Sequence, residues 1–399
     1  MRLATWRFGA LMLWVIGVQV HEVFATIGLA LTVLLNLFHG GRRVEVKGHA
    51  ALLLFIAWSL VAPTVTGNPP SGAGIARSID WLTIPFVIRA ASELTPKRWA
   101  ALSIATGLTL LVSSFVAALQ HFGLWPAEDF FAPLAFMKIP FHRVYEPIGE
   151  SGRFMAGGLL FHRLKFAHVS GLAVVALVVA WKHLFGWSRW FVALCAVIGF
   201  IAVWLFPYAR LGAVAMTVGV AVSIVLTAAS LKRALLLVGV LGLVGVMSIA
   251  AIGPLRDRFI SSFSDEGSGQ RSQHLAAGLT AIRQHPIAGV GPGQFRPSKF
   301  GDDTMAEHVR DNPGKAHNQL VSMAAETGIV GAGLFVALLG TLALRARRAR
   351  IGALALGALA LFVTLSLAHD PLFQAPFSMA LVLLLGLGTS LENDAAAKP

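Results

Sequence analysis

The sequence predicts an all-α membrane protein: one polytopic domain over residues 1–399, with about twelve transmembrane helices and two long connections on the outer face. Three observations predict it. The chain is 56% hydrophobic and 13% charged, against about 25% charged residues in soluble domains, and its mean hydropathy is +0.73. Apolar runs recur along the whole length, each near the roughly 20 residues a helix needs to cross the hydrocarbon layer. Lysines and arginines gather in alternate short connections between these runs, the bias that orients membrane helices.

The first run, about residues 4–20, follows Arg2 and has the charged-then-apolar look of a secretion signal, with a weak small-residue site near Ala25. Apolar sequence continues past it, so it reads as a retained first helix. Further spans are expected at about 23–39, 49–65, 74–92, 99–121, 168–183, 188–206, 211–229, 234–252, 327–344, 351–368 and 374–391. Arg2 and Arg7, Arg42, Arg43 and Lys47, Lys97 and Arg98, Lys182 and Arg189, Lys232 and Arg233, and Arg345, Arg347, Arg348 and Arg350 fall in every second connection. By the positive-inside rule these connections and both termini are cytoplasmic. The outer face then holds a first connection at 122–167, a larger one at 253–326 and the tight turn "FPYAR" at 206–210. In the larger connection, Arg271 to Arg283 reads as a short helix with Leu275, Leu279 and Ile282 on one side. His285-Pro286 ends it, and the glycines at 289, 291 and 293 make a turn.

The formal net charge of +13 raises nucleic acid as a partner, but no basic amphipathic helix or aromatic-interleaved basic stripe accompanies it. Cys195 is the only cysteine, so an intrachain disulfide is excluded. No internal repeat is visible, which weakens a transporter reading because many secondary transporters are built from repeated halves. "GVGPGQF" follows no strand and lies on the outer face, so it reads as a turn rather than a nucleotide loop.

Polar residues that could carry chemistry concentrate on that outer face. His317, in "KAHNQLVSMAAETGIVG", is expected near the start of a helix running from about Ala316 through Gly331. The helical advance would place it on one face with Ala324, Gly328 and Gly331, a small-residue face that lets helices approach closely. The positive end of the helix dipole disfavours imidazolium, leaving either a neutral proton acceptor or a plain helix cap. Arg210 closes "FPYAR", where a charge is costly unless it meets water or a partner, and Arg271 opens the short outer helix. Guanidiniums suit phosphate oxygens; snorkelling and a solvated loop charge are the alternatives. These three residues are expected to converge on one cavity at the outer boundary. Asp302, Asp303, Glu307 and His308 fit no standard metal motif and read as a solvated acidic loop, so no metal is expected. Asp80, between Arg77 and Arg89, is an intramembrane carboxylate that reads as a local ion pair or a proton path. His142, Arg143, Arg153, Arg163 and Lys165 make the first outer connection basic, which suits an anionic acceptor or a solvated loop.

Three stretches together resemble the O-antigen ligase family of bacterial membrane glycosyltransferases, which shares a domain with O-antigen polymerases and protein O-oligosaccharyltransferases. "HNQLVSMAAETGIVG" resembles its His-Asn pair followed by Gly-x-x-Gly, here Gly328 and Gly331. "QRSQHLAAGLTAIRQHPIAGVGPGQF" resembles its outer-loop arginine and Pro-x-x-Gly-x-Gly stretch, here with Gly289 and Gly291. "ARLGA" resembles its arginine at the head of a central span, with Ala209 where serine is more usual. The resemblance implies transfer of a glycan from undecaprenyl pyrophosphate to a lipid A core sugar at the periplasmic face of the bacterial inner membrane, with no cofactor or metal. It implies that Arg210 and Arg271 hold the pyrophosphate, that Asn318 touches substrate, and that His317 deprotonates the acceptor hydroxyl for an inverting attack. Polymerase and protein oligosaccharyltransferase remain alternatives within the family; a lipid flippase or secondary transporter is the alternative outside it. The roughly 70 residues of the second outer connection favour an enzyme, which needs a lid and an acceptor surface.

Overall fold

The computed structural model describes residues 2–37, 49–126, 146–148, 151–251, 256, 265–301 and 315–390. These are helical almost throughout, with one pair of two-residue antiparallel strands, β1 (Glu146–Pro147) and β2 (Phe154–Met155), among them. In chain order the helices are α1 (Arg2–Val20), α2 (Glu22–Leu37), α3 (Ala50–Val65), α4 (Gly72–Asp80), α5 (Ile84–Ala91), α6 (Pro96–His121), α7 (Arg163–His183) and α8 (Gly186–Leu205). They continue with α9 (Arg210–Thr227), α10 (Leu231–Ala251), α11 (Asp265–Gln284), α12 (Pro297–Phe300), α13 (Gln319–Ala346), α14 (Gly352–Ser366) and α15 (Ala375–Gly388).

Among the described residues, every apolar segment expected to span is helical, one of them, 74–92, in two pieces. Six of them, α1, α6, α7, α8, α9 and α13, are long and apolar enough to cross a membrane by length and composition; α2, α3, α14 and α15 are shorter apolar helices. Local signals explain several ends. Thr95 accepts a hydrogen bond from the Arg98 N–H and Pro96 takes the first position, which starts α6. Ser71 caps α4 through the Gly74 N–H. The expected single span 74–92 is interrupted: α4 passes through a 3₁₀ turn at Trp81–Thr83 before α5. Pro85 lies in the first turn of α5, and lacking an N–H it cannot continue the hydrogen-bond ladder from α4.

The core runs along α7 and α15, which bury side chains on nearly every side, the pattern of helices surrounded by other helices. Phe335, Phe362 and Phe377 fill the middle of the bundle and are 0–2% exposed. Outward-facing positions stay apolar, with Val61, Phe115, Leu194 and Ile201 all exposed, as lipid contact requires.

On the outer side α11 is longer than the expected Arg271–Arg283 segment, and its apolar side is turned the other way. From Arg271 to Gln284 the residues it buries are His274, Ala277, Gly278 and Ala281, whereas Leu275 and Leu279 are exposed. Small side chains decide this: a Cβ on Gly278 would lie 2.7 Å from Val321 and 2.9 Å from Ala316, so the face that can approach α13 is the one with least bulk.

Candidate active site

His317 is not in the helix. Asn318 has extended backbone and caps α13, its Oδ1 accepting from the N–H groups of Leu320 (3.1 Å) and Val321 (3.2 Å). The helix therefore starts at Gln319, and His317 does not share the helical face expected for it. Its backbone has φ +54°, a left-handed conformation that costs a non-glycine residue about 1–2 kcal/mol and persists only where neighbours enforce it. The neighbours are the Asn318 cap and the preceding Ala316, whose N–H donates to Ser322 Oγ at 2.9 Å. The Asn318 amide also donates to Leu367 O at 3.3 Å, so the residue expected to touch substrate is engaged in holding this turn.

Eleven residues further on, α13 is broken. Gly328 has φ 71° and ψ 175°, a region essentially reserved for glycine, so it marks a break rather than a smooth packing face. A broken helix leaves backbone groups unpaired, which a membrane interior penalises unless protein satisfies them. Here the glycine-rich loop does so. Val290 N–H donates to Ala325 O, Gly291 N–H to Glu326 O, and Ile329 N–H to Pro286 O, each at 2.9 Å. The approach demands glycine on both sides: a Cβ on Gly289 would lie 2.4 Å from the Glu326 carbonyl carbon, and one on Gly328 1.8 Å from Ile287 O. Gly291 packs on Asn68 O and Gly331 on Thr327 and Trp58. The two glycine motifs, far apart in sequence, are thus the two halves of one joint.

A buried ion pair pins that joint. Arg77 of α4 donates to both Glu326 carboxylate oxygens at 3.2 and 3.3 Å, and the Gly293 N–H donates to Glu326 Oε1 at 2.8 Å. Arg77 thus joins Glu326, far along the chain, while it also acts on Asp80 within α4. The Arg77 guanidinium also lies 3.8 Å over the Phe373 ring, and Gln319 Oε1 accepts from the Leu372 N–H at 3.1 Å. The connection between α14 and α15 is thereby drawn against the start of α13.

Around His317 this brings together groups from four segments. The His274 ring of α11 meets it nearly perpendicular, centroids 4.7 Å apart at 75°. Burial, followed by the charges of His274, Arg271 and Lys315, lowers the His317 pKa to about 4, so the imidazole is neutral at physiological pH. A neutral ring is also what the sequence predicts, but for another reason, the helix dipole. From the α14–α15 connection come His369 and Asp370. Burial and then His168, Arg271, His317 and Arg163 hold His369 well below its ordinary value. Burial raises Asp370 to about 6, opposed by the Ser322 hydroxyl, Lys315, the His317 backbone N–H and Arg77. Lys315 is itself lowered, burial outweighing the attraction of Asp370. From α7 come Arg163 and Lys165, placed in its first turn rather than in a loop, with Lys165 paired to Glu22; His168 lies 5.5 Å from His369, ring to ring.

Of the expected site residues, Arg271 and His317 are thus brought within one another's field. Arg210 is the first residue of α9, a helix that packs closely on α7: a Cβ on Gly212 would lie 2.9 Å from Ala167 and 3.4 Å from the His168 ring. Sequence reasoning missed His274, His369, Asp370, Lys315 and the Arg77–Glu326 pair. One signal was available for "AHD" at 368–370: the alternating topology puts the short connection between the last two spans on the same side as His317. Asp302, Asp303, Glu307, His308, His142 and Arg143 lie outside the described residues.

A neutral imidazole flanked by guanidinium and ammonium groups, with a buried carboxylate alongside, can accept a proton while its surroundings stabilise negative charge. The fold around it is that of an all-α membrane protein. A family model described as O-antigen ligase matches residues 200–336, from the end of α8 through the broken part of α13. No curated protein matches the chain.

Proposed function

We propose that this protein is an O-antigen ligase, transferring a glycan from undecaprenyl pyrophosphate to a lipid A core sugar at the periplasmic face of the inner membrane. What carries the reading is the neutral His317 beside Arg271 and Lys315 within a domain of this family. In the reaction His317 takes the proton of the acceptor hydroxyl, and the oxygen attacks the anomeric carbon from the face opposite the leaving group. The bond from that carbon to the pyrophosphate oxygen breaks, and its electron pair leaves as undecaprenyl pyrophosphate. Arg271 and Arg210 hold that anion, with Lys315 added by its position. The inverted glycosidic bond and the proton on His317 balance the step. A base of pKa about 4 is weak when the site is empty, but an incoming pyrophosphate offsets the neighbouring cations and raises it toward the range where a general base works best. About twelve crossings with both termini cytoplasmic would put His317, Arg271 and Arg210 on the outer side, within reach of a donor whose prenyl tail stays in lipid.

His317→Ala tests this. Transfer in a purified assay is expected to fall by about 10² to 10⁴, with donor binding retained because the imidazole acts on the acceptor. Near-normal transfer in well-folded protein would refute the base assignment. Lipopolysaccharide from a deletion strain separates the activities: a ligase mutant keeps lipid-linked polymer but loses capped lipopolysaccharide, a polymerase mutant makes single-repeat caps, and a protein oligosaccharyltransferase mutant leaves lipopolysaccharide unchanged.

A further inference from the structure

We propose that His274 is a positioning residue for His317: its ring holds the His317 imidazole in place, and its own ionisation sets the pH at which that base becomes available. The inference rests on the reading of His317 as the base.

The observation is one of placement. From Arg271 to Gln284 the face that α11 buries is made of His274, Ala277, Gly278 and Ala281, and His274 is its one large side chain. The three small residues bring the helix backbone down onto Ala316 and Val321, the residues flanking the His317–Asn318 turn. His274, one turn earlier and 2% exposed, is thereby pressed against His317, ring planes at 75°. Packing alone does not call for histidine here, since a leucine or phenylalanine would fill the space without burying a polar ring, at no desolvation cost. Leucines are present on the same helix, at 275 and 279, and both are turned outward. His317 needs external support because its backbone is in the left-handed region, and a ring set at right angles restricts rotation about its side-chain bonds.

Two imidazoles in contact do not titrate independently, because a proton on one disfavours a proton on the other. His274 is the first of the charges that hold His317 low, after burial. The other ionisable groups facing the pair are Arg271 on the same helix, Lys315 on the adjoining turn, and His369 and Asp370 from the α14–α15 connection, with Arg163 of α7 acting on His369. None of these is removed when His274 is changed.

Two substitutions separate holding from titration. His274→Phe keeps a ring of similar shape and removes the proton site; His274→Ala removes both. The assay measures transfer from undecaprenyl-pyrophosphate-linked glycan to core lipopolysaccharide by the full-length protein in nanodiscs, from pH 4 to 9. For His274→Phe, transfer at pH 8 should stay within about threefold of wild type, while the acidic limb of kcat/KM for donor moves to higher pH, because His317 loses the repulsion that kept it low. For His274→Ala the same limb shift should come with a fall in turnover of about 10- to 100-fold, the order lost when a reacting group is misplaced by about an ångström. An acidic limb that stays put or moves to lower pH in the phenylalanine variant overturns the titration role. Undiminished turnover in the alanine variant overturns the holding role. His317→Ala, run in parallel, reports on the base assignment itself: if it transfers normally, the underlying reading fails; if it is inactive while both His274 variants match wild type, only this inference fails.

Discussion

Gly328→Ala tests whether the joint between the glycine loop and the broken helix sustains the site. The new Cβ would fall 1.8 Å from Ile287 O and 2.2 Å from the Ile287 carbonyl carbon, so the loop cannot remain docked. Three backbone hydrogen bonds of 2.9 Å go with it, each worth about 1 kcal/mol net. The φ and ψ of 71° and 175° add about 1–3 kcal/mol for any side chain. The docked arrangement is therefore disfavoured by roughly 4–6 kcal/mol, about 10³- to 10⁴-fold in population. Arg77 and Glu326 lose their third partner, Gly293, and with it the tie that draws the loop toward α13. Transfer is expected to fall at least about 100-fold with every proposed catalytic side chain intact, and cleavage by trypsin at Lys299 should accelerate. Gly333→Ala is the control: it lies further along α13 with nothing within 4 Å of where its Cβ would stand, and it should behave as wild type. A Gly328→Ala protein that transfers at more than about a tenth of the wild-type rate, with unchanged proteolysis, would refute the claim that the docked loop is needed.

Arg271→Ala should weaken donor binding by about 1.5–3 kcal/mol, roughly 10- to 150-fold, and lower turnover as well, because charge builds on the leaving pyrophosphate; Arg271→Lys should recover part of the loss. Donor titrations beside single-turnover transfer check this, and a lysine variant equal to wild type would mean that the guanidinium fork is not used. The low pKa of His317, about 4, puts the acidic limb of kcat/KM for donor near that pH, the base being neutral above it and lost as pH falls through it. The limb of kcat should lie at higher pH, since bound pyrophosphate favours imidazolium; coincident limbs near 6.5 would contradict this. Glu326→Gln keeps an acceptor for the Gly293 N–H but removes the charge facing Arg77, and Glu326→Ala removes both, so thermal stability in detergent should fall in that order, with the alanine variant losing about 3–5 kcal/mol. Equal stability of all three proteins would show that the buried pair contributes nothing.

Much of this architecture is legible along the chain because its signals are local. An apolar run near 20 residues long forms a helix wherever it sits, and Thr95-Pro96 marks the start of α6 from two adjacent residues. The true place of the His-Asn pair also has a local signal, one that outweighs the expected helix from Ala316: asparagine ahead of an apolar run is a preferred helix cap, and it excludes His317 from α13. The orientation of α11 has no such signal, since Leu275, Leu279 and Ile282 make the more apolar side, yet the two leucines face outward. Which side packs is settled by how closely a neighbouring backbone can come.

By itself the sequence determined the membrane class, the order of the helices, the likeness to a family of glycosyltransferases, and the two motifs that hold Arg271 and His317. Only the tertiary structure decided what those motifs are for physically. Gly289 and Gly328 are glycines because a side chain on either would strike the backbone of the other's segment, a constraint that exists only once two distant segments meet. Arg77 and Glu326 stand 249 residues apart, and His274, His369 and Asp370 reach His317 from separate elements. Spacing along a chain carries no record of such meetings: contact between distant residues depends on how helices pack, and packing is set by the shapes of all the faces at once.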